Sequence, residues 1–255
     1  MRTALLVATA LGTFAGAAEA HYGMIIPSDN MLAQDEGRSV DLAISFGHPF
    51  EPSGMELVRP VTFSVIANGE SEDLLPALKE TDFHGEPAWQ TTYEVARPGT
   101  YVFQMEPQPY WEPAEDCFIV HYTKTYVTAF GDDEGWDTEL GLKTEIVPLS
   151  KPFALWAGNV FQGIVKLDGA AVPHAEVEVE HYNQDSSAVA PSELMTTQTI
   201  KADADGVFTY ATPRGGWWGF AALNTADYQF EQDGAQKDVE LGAVLWVHFE
   251  DWQSE

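Results

Sequence analysis

Apolar and polar residues alternate along most of the chain, which is the pattern of β-strands with one buried face. The pattern is clear over residues 40–46 and again over 62–67, where it ends at Asn68-Gly69, a pair typical of a tight hairpin turn. Helical periodicity is scarce, and only residues 74–79 predict a short helical turn. Further strands are predicted at 89–95, 101–106, 116–123, 126–130, 159–167, 175–182, 196–202, 207–211, 216–223 and 239–249.

Turn signals separate these short strands at the spacing of a β-sandwich, so the fold class is predicted to be all-β. Residues 98–101 read Pro-Gly-Thr-Tyr at a strand start, which is common in immunoglobulin-like sandwiches, where the tyrosine packs a corner. The pattern is interrupted by the prolines of residues 148–152. We therefore predict two tandem β-sandwich domains, residues 21–150 and residues 151–255.

Two hairpin turns are predicted in the second half of the chain. Asp168-Gly169 follows one strand directly, and residues 203–206 separate the strands at 196–202 and 207–211, which we expect to pair with each other. Residues 203–206 also resemble the start of a calcium loop, but the remaining ligands are missing, so a turn is the better interpretation.

The first twenty residues have the features of a secretory signal peptide. Arg2 provides a positive start, residues 4–17 are apolar, and Ala18-Glu19-Ala20 presents the small side chains of a cleavage site. The apolar run is too short to cross a bilayer of about 30 Å, so we expect cleavage after Ala20 and no membrane span in the mature chain. The predicted location is the periplasm.

Cleavage there would make His21 the first residue of the mature protein. Its α-amine, with a pKa of about 8, and its own imidazole Nδ1 can then close a chelate ring on a metal ion. Such a nitrogen pair favours nickel, cobalt, copper or zinc. The alternative is that a histidine stands at this position by chance.

Composition narrows the function classes. Lysine and arginine total 12 against 40 acidic residues, for a net charge of -28, which excludes a nucleic-acid partner because phosphate contacts need a basic surface. Cys117 is the single cysteine, so no intramolecular disulfide can form and the cores must hold the fold together.

Two other histidines can complete a site begun by His21. His48 follows the first clear strand, and His121 shares a strand face with Cys117, just downstream of Glu115 and Asp116, which are candidates for orienting the ligands. The predicted metal ligands are therefore His21, His48 and His121. The alternative for each is a half-buried strand histidine, and the participation of Cys117 or His84 stays open.

Several segments resemble an exported bacterial family that is catalogued as a domain of unknown function and was formerly named as the NikM subunit of a nickel transport complex. They are residues 20–28 (AHYGMIIPS), 46–51 (FGHPFE), 109–116 (PYWEPAED), 121–124 (HYTK) and 159–163 (NVFQG). The resemblance covers nearly all of the mature chain. It implies nickel or cobalt as the bound metal, with copper or zinc as further candidates, and a membrane metal-uptake complex as partner.

The second half separately resembles the transthyretin-like, carboxypeptidase-regulatory-like sandwich, in residues 163–165, 168–169, 172–173, 175–179 and 203–208. That module is usually non-catalytic, so we do not expect an enzyme. The leading hypothesis is a periplasmic nickel- or cobalt-binding protein that assists metal uptake. The alternatives are a copper-dependent polysaccharide oxidase, which also uses an N-terminal histidine, and a non-catalytic cell-surface interaction module.

Overall fold

The structure, a computed structural model, describes residues 20–252, and these residues form an all-β fold without an α-helix, as predicted. The predicted signal peptide, residues 1–20, falls outside the described residues except for Ala20. No helix in the described part is long and apolar enough to cross a membrane. The strands are β1 Tyr22–Pro27, β2 Met31–Leu32, β3 Ser39–His48, β4 Ser53–Met55, β5 Thr62–Ala67, β6 Glu70–Asp73, β7 Lys79–Phe83, β8 Glu86–Glu94, β9 Gly99–Glu106, β10 Tyr110–Glu112, β11 Cys117–Ala129, β12 Thr144–Pro148, β13 Leu155–Trp156, β14 Val160–Leu167, β15 Ala170–Ala171, β16 Glu176–His181, β17 Thr197–Lys201, β18 Val207–Ala211, β19 Gly216–Thr225, β20 Phe230–Gln232, β21 Ala235–Lys237 and β22 Val239–Glu250, and the short 3-10 turns are Leu75–Ala77 and Glu193–Met195.

The strands form three main sheets. A five-stranded sheet has the order β1-β3-β8-β7 with β4 added at β3, and a four-stranded sheet has the order β12-β14-β15 with β18 paired to β14. An eleven-stranded sheet has the order β17-β16-β19-β22-β11-β9-β5-β6, with β2, β10 and β13 attached. Strands β20 and β21 form a separate hairpin.

The eleven-stranded sheet runs through both halves of the chain. Its centre is a parallel pairing of β11 with β22, from Phe118 opposite Val239 to Thr125 opposite Trp246. Two apolar cores follow the halves of the chain, because one is built from residues 25–130 and the other almost entirely from residues 146–249. Two smaller apolar clusters join the halves, one between residues 20–26 and 221–246 and one between residues 120–122 and 239–241. The division into two domains near residue 150 stays a prediction.

Two local predictions of turn geometry are confirmed. Tyr101 is buried and its hydroxyl donates a hydrogen bond to the Arg97 carbonyl at 2.8 Å, which is the corner expected for an immunoglobulin-like sandwich. Asn68 and Gly69 have φ of 53° and 77°, so both positions are left-handed, as a tight hairpin between β5 and β6 requires.

The predicted pairing across residues 203–206 is wrong. Strand β17 pairs with β16 in the eleven-stranded sheet, whereas β18 pairs with β14 in the four-stranded sheet. Asp203 turns the chain between them, since its carboxylate accepts hydrogen bonds from the backbone N–H groups of Asp205 and Val207. Crossing between sheets lets Phe208 and Ala202 fill the core between them, which a simple hairpin would not allow.

Candidate functional site

His21 and His48 lie side by side at the end of the five-stranded sheet. Strand β1 runs antiparallel to β3 with Tyr22 opposite Gly47, which brings the preceding His21 beside the following His48. Their ring centroids are 4.9 Å apart, and Nδ1 of His48 is 3.0 Å from the Ser53 hydroxyl. The pairing of β1 with β3 therefore unites two of the three predicted ligands.

His121 reaches the same region from the eleven-stranded sheet. Phe46 lies against both rings, with its centroid 6.1 Å from the ring of His21 and 5.8 Å from that of His121. Two glycines leave room for His121: a Cβ on Gly23 would lie 3.3 Å from its Cβ, and a Cβ on Gly242 only 2.3 Å from its Cδ2. The three predicted ligands and Phe46 thus form one group, here called the histidine cluster.

A carboxylate from the second half of the chain orients His121. Glu240 lies on β22, on the same sheet face, and its Oε1 is 3.2 Å from Nε2 of His121. An ionised carboxylate only accepts hydrogen bonds, so Nε2 carries the proton and donates. Nδ1 of His121 is buried, has no hydrogen-bond partner among the described residues, and in the neutral ring keeps its lone pair.

Two further carboxylates face His21. Oε2 of Glu112 is 3.5 Å from Nε2 of His21, and Oε1 of Glu115 is 3.9 Å from its Nδ1. Despite these acids, burial lowers the pKa of His21 to about 4, with the nearby charges of His48 and His121 acting in the same direction. His21 is therefore neutral at physiological pH and has a nitrogen lone pair available.

The pKa values of two acids beside the histidine cluster, Glu115 and Glu240, shift in opposite directions. Burial, together with the charges of Glu240 and Glu112, raises the pKa of Glu115. Burial alone would also raise the pKa of Glu240, but the hydrogen bond from His121 and the charges of His121 and His21 bring it below its usual value. Of these two carboxyl groups, Glu240 is thus the one that its histidine partner keeps ionised.

Asp116, the alternative orienting residue, faces elsewhere. Its side chain is exposed and its Oδ2 accepts from Nζ of Lys237 at 2.7 Å. Cys117 is half-buried, and burial with the charges of Glu240 and Glu115 raises the pKa of its thiol to about 12. The thiol of Cys117 therefore keeps its proton at neutral pH in the metal-free protein.

The loop after His48 is held by the second half of the chain. The N–H of Phe50 donates to Oε1 of Glu180 at 2.8 Å, and Asn183 donates its side-chain N–H to the Phe50 carbonyl at 3.1 Å. The N–H of Asn183 also donates to the Pro49 carbonyl at 3.0 Å. These bonds hold Pro49 and Phe50, the two residues that follow His48, in place.

The other histidines lie in turns or on strands outside the histidine cluster. His84 is exposed in the turn between β7 and β8, and His174 is exposed in the turn after β15. His181 is buried against Trp218, with ring centroids 5.1 Å apart, and His248 contacts another tryptophan on β19. Their placement agrees with structural roles.

The donor set of the cluster suits a transition metal in kind, because it consists of imidazole nitrogens with carboxylates close by. As they stand, however, no three His, Cys, Asp or Glu side chains within residues 20–252 are arranged as a metal-binding group. In the intact chain the backbone nitrogen of His21 is an amide joined to Ala20, so the expected amine ligand does not exist before cleavage.

Sequence reasoning missed Glu240 and gave Glu112 no role. Glu240 is 119 positions from His121 along the chain, and no local motif links the two. Their contact depends on the parallel pairing of β11 with β22, which alternation along either strand does not reveal. The sequence could have suggested a role for Glu112, because Glu112 lies close to Glu115 in a run rich in acidic and aromatic residues.

Comparisons with known proteins give a family and a set of distant structures. The family described as "Domain of unknown function (DUF4198)" matches residues 18–226. No curated protein shows a significant match. Similar solved structures include the D0-D1 domain of Intimin, at 13% identity and a TM-score of 0.27, covering 89% of this chain and 99% of that one.

Others are the Yersinia pseudotuberculosis adhesin InvE, at 10% identity and a TM-score of 0.23 over 89% of this chain and 61% of that one. The Clostridium thermocellum CbhA fibronectin(III)-like modules match at 7% identity and a TM-score of 0.22, over 91% and 98%. At these TM-scores the likenesses carry no argument about function.

Proposed function

This chain belongs to the DUF4198 family, which is described only as a domain of unknown function, and we propose that it is a periplasmic binding protein for a divalent transition metal. Nickel or cobalt is the proposed ion, with copper and zinc as further candidates, and the protein would assist a membrane uptake system. One observation carries the proposal: His21, His48 and His121 lie in one cluster although they come from two sheets.

The proposed site forms when the leader is removed. Cleavage after Ala20 frees the α-amine of His21, which then chelates together with Nδ1 of the same residue. His48 and His121 supply imidazoles from the neighbouring strands. Neutral nitrogen donors of this kind bind nickel, cobalt, copper and zinc in preference to magnesium or calcium.

The surroundings of His121 support its role as a ligand. Its Nε2 is hydrogen-bonded to Glu240, and metal-binding histidines usually donate their second N–H to a carboxylate in this way. Nδ1 is the atom left for the metal. Glu112 and Glu115 place negative charge beside His21, which offsets the charge of a divalent cation.

Isothermal titration calorimetry of the protein beginning at His21, with Ni²⁺, Co²⁺, Cu²⁺ and Zn²⁺, tests the proposal. We expect binding in the micromolar range or tighter at a single site. A protein that keeps Ala20 before His21 should bind markedly less tightly, because its His21 nitrogen is an amide. Glu240→Gln should weaken binding about tenfold by releasing His121 from its carboxylate partner.

His174→Asn is the matched control, since His174 is exposed, lies in a turn with φ of 59°, and asparagine tolerates that conformation. It should leave the affinity unchanged. Equal and weak binding by the His21 and Ala20 forms would reject the amine ligand. Mass spectrometry of the exported protein's first residue decides independently whether the leader ends at Ala20.

We propose that the former NikM name describes this chain's role and that its second half is a transthyretin-like module. The copper oxidase alternative needs a flat, exposed copper site, whereas the His21 and Glu112 side chains are each only 10% exposed. A non-catalytic interaction module remains the other alternative, and it predicts that added metal leaves the melting temperature unchanged.

A further inference from the structure

A cavity of about 540 Å³, here called the groove, lies where the five-stranded sheet meets the second half of the chain. Its lining includes Ile26 and Pro27, at the end of β1. His21 precedes the other end of that strand, so roughly 20 Å of extended chain separate it from Pro27. No histidine is among the residues that line the groove, which is therefore distinct from the histidine cluster.

The floor of the groove is a row of side chains that crosses the sheet from strand to strand. Ala43 on β3 stands between Ile26 on β1 and Gln90 on β8, and Lys79 on β7 stands opposite Gln90. Residues directly opposite in antiparallel strands share a face, and Asp41, two positions before Ala43, lies on that face as well. The floor is thus mostly polar, with a small exposed side chain, Ala43, at its centre.

Two aromatic residues of the second half form a wall of the groove. Tyr182 and Trp217 both line it and are both half-buried. The N–H of Tyr182 donates to the Trp217 carbonyl at 2.8 Å. The ring of Trp217 packs against His248 with centroids 5.1 Å apart, and that of Tyr182 packs against Trp246 at 6.1 Å. These contacts hold both rings, so the aromatic wall is preformed.

The charges of the groove are balanced, unlike those of the whole chain. Asp41 is the single acidic residue of the lining and Lys79 the single basic one, whereas the chain has 40 acidic residues against 12 lysines and arginines. Lys79 is also the only lysine within residues 20–252 that has no ion-pair partner there. Gln90 and Gln184 add side-chain amides, which both donate and accept hydrogen bonds.

This lining suits a sugar better than other small molecules. A wholly apolar ligand would cover the polar floor without satisfying its hydrogen bonds. An anionic ligand such as a nucleotide would meet one cation in a protein of net charge -28. A pyranose ring has an apolar C–H face that matches aromatic rings, and its hydroxyl groups both donate and accept.

We propose that the groove binds a short neutral saccharide. One sugar ring lies against Trp217 and Tyr182, which removes its C–H face from water. Its hydroxyl groups exchange hydrogen bonds with Asp41, Gln90 and Lys79. The volume of about 540 Å³ is within the range of small-molecule sites.

Nuclear magnetic resonance titration of protein freed of metal with EDTA tests the proposal. The probes are cellotriose, maltotriose and tri-N-acetylchitotriose, with trigalacturonate as an anionic counterpart. We expect at least one neutral trisaccharide to bind with a dissociation constant in the millimolar range or tighter and to shift the indole N–H resonance of Trp217, which Trp217→Phe identifies. Trigalacturonate should bind more weakly than that trisaccharide.

Two matched pairs of variants locate the binding. Ala43 and Ala211 are both exposed on strands, but only Ala43 lines the groove. Ala43→Trp should therefore abolish saccharide binding, whereas Ala211→Trp should leave it unchanged. Gln90→Ala removes hydrogen bonds to the sugar and should weaken binding about two- to tenfold. Gln236→Ala, at an exposed strand position outside the groove, should have no effect.

Three results would overturn the proposal: no shift of the Trp217 indole with any neutral trisaccharide, equal binding by the two tryptophan variants, or trigalacturonate binding as tightly as the best neutral probe. None of them bears on the proposed metal site, because its histidines lie outside the groove. Failure of the metal titration would likewise leave the saccharide result intact.

Discussion

Replacing Gly242 with alanine is the sharpest test of how His121 is placed. Gly242 lies directly opposite His121 in the parallel pairing of β11 with β22. A Cβ there would lie 2.3 Å from Cδ2, 2.6 Å from Nε2 and 2.8 Å from Cγ of the imidazole. These atoms span the body of the ring, so a small rotation cannot relieve the overlap.

The ring also has little space into which it can retreat. Its side chain is 1% exposed, and Phe46 and Gly23 bound it on the side of the five-stranded sheet. Overpacking of this kind costs about 1–3 kcal/mol. Displacing the ring also breaks its bond to ionised Glu240, worth about 1.5–3 kcal/mol. We expect Gly242→Ala to lower the free energy of unfolding by about 2.5–6 kcal/mol.

Urea unfolding followed by tryptophan fluorescence measures this change, with Gly37→Ala as control because nothing lies within 4 Å of a Cβ at Gly37. The control should shift the free energy of unfolding by no more than about 0.5 kcal/mol. His121→Ala combined with Gly242→Ala should cost less than the sum of the single changes, since removal of the ring removes the overlap. If Gly242→Ala is as mild as the control, His121 does not occupy the space over Gly242 and the described site is incorrect.

Three further changes test other parts of the fold. Lys124→Met should cost about 3–5 kcal/mol, because Lys124 and Glu145 pair at 2.7 Å with both side chains 1% exposed and the buried acid would lose its counter-charge. Adding Glu145→Gln should recover part of the loss, and a harmless single change in urea unfolding would contradict this prediction. Burial raises the pKa of Glu180 from 4.5 to about 7, so the stability it contributes is present at low pH and is lost as pH rises through about 7. The free energy of unfolding of Glu180→Gln should therefore rise relative to that of the natural protein by up to about 3 kcal/mol between pH 4.5 and 7, with no further rise at higher pH. A difference in urea midpoint that does not change with pH would refute this. Tyr101→Phe removes the corner hydrogen bond and should cost about 1 kcal/mol in the same assay, whereas Tyr228→Phe on the surface should cost nothing measurable.

Local pattern predicted the elements whose two faces differ. Strand β5 and the turn at Asn68-Gly69 appear as expected, because alternation and a turn that needs left-handed residues are both local properties. Strand β1 was missed because all six of its residues are buried and none alternates with a polar neighbour. The stretches at 116–123 and 126–130 proved to be one continuous strand, β11, since Lys124 is buried with Glu145 and does not interrupt it.

The sequence was enough to name the histidines of the candidate site but not to predict how they and their neighbours are arranged. His21, His48 and His121 could be named from the cleavage site and from strand ends, and antiparallel pairing of neighbouring strands brings the first two together. Nothing local predicted that β22 would lie parallel to β11, so the role of Glu240 and the need for glycine at position 242 were invisible. Long-range pairing of this kind is a tertiary property.

The arrangement makes both halves of the chain responsible for one site. The histidines come from residues 21–121, but Glu240 sets the proton position on His121. Glu180 and Asn183 hold Phe50, two residues after His48. A chain ending near residue 150 would keep all three imidazoles and lose every one of these orienting groups, together with the strand that covers the edge of β11. The second half of the chain therefore supplies groups that hold His121 and the segment after His48 in place.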